Sequence, residues 1–134
     1  MSRARFSRWV FLVAGTWGVV LLLPGYFGEK MMNARFPPAI NHPEYYYGFF
    51  GVALAWQIVF LMIAANPVRL RLVIPAAILE KAAYAGACAV LYMEGRLAGL
   101  PAMFGAADAL FAVLFLISYS KLGHQEGQSV AKAH

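Results

Sequence analysis

A few residues able to do chemistry stand inside otherwise apolar runs. Glu80 and Lys81 interrupt LVIPAAILEKAAYAGACAVLYM (72–93), Asp108 lies in the run from Leu100 to Tyr119, and Gln57 lies in the run from Tyr45 to Ala65. Carboxyl and ammonium groups in such a setting can pair with one another, hold a charged or hydrogen-bonding ligand, or move protons as general acid and base. Their spacing narrows the geometry. On a helix, adjacent residues are about 100° apart, so Glu80 and Lys81 face different neighbours. Tyr84 follows one turn later and edges the same region. Lys81 is expected to pair with Asp108, and Glu80 with Gln57, Tyr84 or Thr16. Gln57, Glu80, Lys81, Tyr84 and Asp108 are the candidate ligand-binding set.

Other chemistries lack their residues. The sequence has no G-x-S-x-G, no H-E-x-x-H, no P-loop and no C-x-x-C-H, and no histidine falls within an apolar run. No catalytic residue is assigned, and no cofactor is expected. His42 and Glu44 flank Pro43 in a connection, and two ligands do not make a metal site. The single cysteine, Cys88, excludes an internal disulfide and a thiolate cluster, and reads as a small packing residue.

The elements that must position these residues are helices in lipid. The chain is 62% hydrophobic and 13% charged over 134 residues. Soluble domains run nearer 45–50% apolar and about 25% charged, and a chain this short could not hide the excess from water. About 20 apolar residues make a membrane-crossing helix. Four runs qualify, from about Trp9 to Phe27, Tyr45 to Ala65, Leu72 to Met93 and Leu100 to Tyr119. The first follows Arg3, Arg5 and Arg8, but no A-x-A cleavage site succeeds it, so it reads as an uncleaved span rather than a signal peptide. Pro37, Pro38 and Pro43 break the polar connection from Gly28 to Glu44, and Asn66-Pro67 ends the second run. Residues 120–134 hold few apolar side chains and are expected to form a mobile tail. The whole is expected to be one all-α domain, a four-helix up-down membrane bundle.

Charge sets the orientation. With four spans the termini share a side. That side carries Arg3, Arg5, Arg8, Arg69, Arg71, Lys121 and Lys132, against Lys30, Arg35 and Arg96 on the other. The positive-inside rule puts both termini in the cytoplasm and explains the formal charge of +5 better than nucleic acid binding does. Counted from the cytoplasmic ends, Thr16, Gln57, Glu80 and Asp108 all fall at about 12–17 Å, close to the bilayer midplane. Each helix supplies one polar group at one level. Small residues Ala82, Ala83, Gly86 and Ala87 would let a neighbouring helix approach closely, within the bundle or between copies.

The four spans, cytoplasmic termini and buried acids resemble the DoxX-like group of small bacterial membrane proteins. The segments NPVRLRLVIPAAILEKAAY (66–84) and FGAADALFAVLFLISYSK (104–121) look like those of uncharacterised bacterial four-span proteins. The architecture also resembles the emopamil-binding and sigma-2 receptor group, whose members hold sterol-like or amine ligands against intramembrane carboxylates. The resemblance implies a multi-pass protein of a bacterial inner membrane and carries over no site residue. The histidine expected of an isomerase in that group is absent from the spans. Three readings stand side by side. The first is a monomer or homodimer binding a small lipophilic or amine-bearing ligand at the polar layer, which requires a cavity there. The second is an accessory subunit of a larger, perhaps respiratory, membrane complex, whose charges satisfy one another and whose small residues face outward. The third is an enzyme acting on a lipid or quinone, which needs an open acid or base reachable from lipid.

Overall fold

The computed structural model describes residues 2–134. Within them the chain forms α1 (Arg3–Tyr26), a short α2 (Glu29–Arg35), α3 (Pro43–Ala65), a 3₁₀ turn (Arg71–Val73), α4 (Ile74–Met93) and α5 (Leu100–Ala133), with no strand among the described residues. α1, α3, α5 and the segment Arg71–Met93 are each long and apolar enough to cross a membrane.

Local chemistry sets most of the ends. The Ser2 hydroxyl accepts from the Arg5 N–H at 3.1 Å and caps α1. Asn66 ends α3, and its carboxamide accepts from the Arg69 N–H at 3.1 Å, turning the chain toward α4. Pro75 and Pro101 sit in the first turns of α4 and α5, where the missing N–H has no intrahelical partner to lose. Gly95 and Gly99 bracket the last connection with φ of +72° and +68°, a backbone region that disfavours a side chain.

The boundaries expected for the second and third spans agree with α3 and α4 to within two residues. The prolines keep residues 36–42 of the connection out of a helix, as expected, and α2 forms ahead of them in EKMMNAR. One expectation is corrected. The fourth span does not give way to an irregular tail at residue 120, since α5 continues to Ala133. Its 34 residues measure about 51 Å, well beyond the roughly 30 Å of a hydrocarbon core. What supports the extension is packing that the polar composition concealed. Leu122 is buried, and Arg71 reaches across from the 3₁₀ turn. Its Nε donates to the Tyr119 carbonyl at 3.3 Å, its guanidinium lies 4.1 Å from the Tyr119 ring centroid, and Nη1 pairs with Glu126 at 3.1 Å.

The helices pack as two pairs. α1 lies along α3, α4 lies along α5, and α1 also meets α5; α3 and α4 barely touch. The core sits toward the end that holds the N-terminus of α1. Phe11 stacks on Phe115 with centroids 4.2 Å apart, and Phe60 meets Phe115 edge-on at 5.0 Å. Ile63, Ile74 and Ala77 fill around them. Nearby, the Ser118 hydroxyl donates to that of Ser7 at 2.5 Å, joining α5 to α1. At the opposite end, the Tyr46 hydroxyl donates to the Gly25 carbonyl, and Tyr47 donates to Glu29 at 2.7 Å. These tyrosines therefore tie α3 to α1 and α2.

The outside is apolar. Leu72, Leu79, Val20, Val52, Met103 and Leu110 are each at least 60% exposed. Single exposed apolar residues are ordinary, but this surface is apolar on every long helix, which is the pattern of rods solvated by hydrocarbon.

Candidate functional site

Glu80, Lys81 and Asp108 come together. The Lys81 ammonium donates to Asp108 Oδ1 at 3.1 Å and lies 3.7 Å from Glu80 Oε2. The side chains of Lys81, Glu80 and Asp108 are 6%, 19% and 17% exposed. Phe60 and Phe111 flank the ammonium, with ring centroids 5.3 and 5.7 Å from Nζ. A lysine walled by aromatic rings has little beyond two carboxylates and the ring faces to replace its water shell. Asp108 can be its partner because α5 approaches α4 closely. At Gly105, one turn before Asp108, an added Cβ would stand 2.5 Å from that of Cys88.

The pairing is asymmetric. Asp108 receives a hydrogen bond from Lys81, whereas 3.7 Å is too long for one to Glu80. Glu80 Oε2 is buried and has no hydrogen-bond partner among the described residues. A buried oxygen without a donor is costly, and far more so if it carries charge.

Glu80 also lines an opening between α3 and α4, with its buried Oε2 turned inward to Lys81. The opening is a groove of about 530 Å³ lined by Phe49, Val52, Ala53 and Trp56 from α3 and by Ala76, Leu79, Glu80, Ala83 and Tyr84 from α4. Its walls are apolar apart from Glu80 and the tips of Trp56 and Tyr84. The Phe49 and Tyr84 rings, one from each wall, stand 6.0 Å apart by their centroids. The groove exists because α3 and α4 each pack on another partner and leave their facing sides apart. It is an open groove on the side of the bundle rather than an enclosed cavity.

The other expected members fall differently. Tyr84 lines the groove as a wall. Gln57 is buried but turns to α1. Its Nε2 donates to the Ala53 carbonyl at 2.8 Å, its Oε1 has no partner among the described residues, and an added Cβ at Gly18 would stand 1.9 Å from Oε1. Thr16 is exposed and plays no part. The expected bond from Glu80 to Gln57, Tyr84 or Thr16 therefore does not form: Gln57 seats on the glycine face of α1, and Tyr84 makes no hydrogen bond to Glu80. Phe60, one turn along α3 from Gln57, does reach the Lys81 site. Trp56 and Phe49 line the groove without having been expected to; their signal was an aromatic at i, i+7 on one face of the helix that faces Glu80.

Ala82, Ala83, Gly86 and Ala87 are all exposed, so they do not serve contacts inside the molecule. Among the described residues no group of His, Cys, Asp and Glu could hold a metal ion. A comparison with protein-family models, with curated proteins and with solved structures found no match.

Proposed function

We propose that this chain is a multi-pass protein of a bacterial inner membrane, DoxX-like, with both termini in the cytoplasm, that binds a small lipophilic amine in the groove between α3 and α4. The observation that carries the reading is the Glu80 carboxyl, loosely ion-paired to Lys81 but with a buried oxygen that accepts no hydrogen bond, beside an apolar groove that opens sideways. Were Glu80 and Asp108 both ionised beside a charged Lys81, the cluster would sum to −1, a charge that burial disfavours and that a ligand ammonium would balance. The ammonium would donate to Glu80, Phe49, Trp56 and Tyr84 would surround it with ring faces, and the apolar body would replace lipid along Val52 and Leu79. Amphiphilic amines concentrate in bilayers, so a side opening suits them.

The test is binding of radiolabelled dodecylamine to the purified protein in lipid nanodiscs. Ala83→Phe, which fills the groove, and Glu80→Gln should each weaken binding by about tenfold or more. Ala82→Phe, on the same helix but outside the groove, should leave it unchanged. Equal binding by all four proteins would end the proposal.

One observation favours a second reading, that of an accessory subunit in a larger membrane complex. Small residues at Ala82, Gly86 and Ala87 face outward, where another helix could approach closely. In that case the groove would be filled by a side chain or helix of a neighbouring chain, and the assembled complex would take up no amine.

A further inference from the structure

Asp108 is not among the groove's lining residues. Nevertheless, we infer that Asp108 is a positioning residue that fixes the charge the groove presents, by holding Lys81 away from Glu80. The inference rests on the amine-binding reading above and extends it to a residue on another helix.

The geometry is a competition between two carboxylates for one ammonium. Lys81 Nζ is 3.1 Å from Asp108 Oδ1 and 3.7 Å from Glu80 Oε2, so its hydrogen bond goes to Asp108. The difference of 0.6 Å separates a charge-assisted hydrogen bond from a looser ion pair (3.7 less 3.1). Glu80 and Lys81 are neighbours on α4, and a small swing of the lysine side chain would bring Nζ into bonding range of Glu80. What opposes that swing is Asp108, projected from α5 across the tight α4–α5 contact. The aromatic rings of Phe60 and Phe111 confine the remaining directions. Without the Asp108 carboxylate, Lys81 has one anionic partner left. It would then bond Glu80 and neutralise the carboxylate charge that draws a ligand ammonium to the groove. Asp108 thus keeps the groove selective for cations while standing outside it. Gln57, on the neighbouring helix, turns its free Oε1 to Gly18 of α1 rather than to Lys81.

The experiment compares dodecylamine with dodecanol, equal in length and neutral, in nanodiscs. Trp56 emission reports binding in a background where Trp9 and Trp17, both on the outer surface, are replaced by Phe. Asp108→Asn should weaken dodecylamine by about tenfold and leave dodecanol unchanged. The double variant Lys81→Met/Asp108→Asn removes the competitor and should restore amine binding to the parent level. Asp108→Ser, smaller and still polar, replaces Asp108→Asn should the latter fail to fold. An Asp108 variant that binds dodecylamine as the parent does, or a double variant that stays as weak as the single, would overturn the inference. Should the parent bind neither probe, the groove is not a ligand site, and the amine-binding reading falls together with this one.

Discussion

At the scale of single residues, the molecule turns on how one ammonium is shared. Lys81 is almost fully enclosed, hydrogen-bonded to Asp108 and within ion-pair distance of Glu80. Removing one member of a buried ion pair leaves its partner uncompensated, which typically costs about 3–5 kcal/mol, whereas removing both ends can be neutral. Lys81→Met is therefore expected to lower the thermal midpoint of the detergent-solubilised protein, and Lys81→Met/Asp108→Asn to recover most of the loss. A Lys81→Met protein that melts at or above the parent would show that the ammonium stabilises nothing. The pairing of Lys81 with Asp108 was legible in the sequence, because two opposite charges in apolar helices at equal depth have few alternatives. The isolation of Glu80 was not legible. It depends on Gln57 seating against Gly18, and Gln57 could have faced either neighbour as far as helical periodicity can tell.

At the scale of elements, two features escaped the sequence for one reason. α2 and the last turns of α5 are polar, and hydrophobic patterning reports only helices that bury an apolar face. The end of α5 is held mainly by polar and cation–aromatic contacts. Arg71 engages the Tyr119 carbonyl and ring and Glu126, and Lys121 lies 4.4 Å from the Phe6 ring centroid. Gly123 makes room for the arginine, since a Cβ there would stand 2.4 Å from Arg71 Nη2. Gly123→Val should expel the guanidinium from α5 and add a branched side chain to a polar helix. Amide hydrogen exchange across residues 120–133 is expected to quicken, with protection in α1, α3 and α4 unchanged. Unaltered protection in that segment would mean that Arg71 does not hold it. By contrast, α3 and α4 were readable in outline, because their apolar runs are bounded by Asn66-Pro67 and Gly95, while α1 runs on through Pro24 to Tyr26.

At the scale of the whole molecule, the arrangement in two pairs decides what can happen at the polar layer. Tight packing of α1 on α3 and of α4 on α5 leaves one seam, between α3 and α4, and that seam contains Glu80. Composition implied four apolar rods, and the short connections implied antiparallel neighbours, but neither could say which adjacent pair would stand apart. That was settled by small residues at the two closed contacts: Gly15 and Gly18 face α3, and Gly105 faces Cys88 on α4. The seam has both bulky and small residues along it, Phe49, Val52, Trp56 and Leu79 among Gly48, Ala53, Ala76 and Ala83. In the proposed membrane setting, lipid chains would border this seam along its length, and a ligand could enter without crossing water. The most direct measurement is photocrosslinking of a dodecylamine that carries a diazirine on its chain to the protein in nanodiscs, followed by mass-spectrometric mapping. The account predicts adducts concentrated on Val52, Trp56, Leu79 and Ala83 and suppressed by excess unlabelled amine. Adducts spread evenly over the outward faces of the helices, and insensitive to competition, would contradict it.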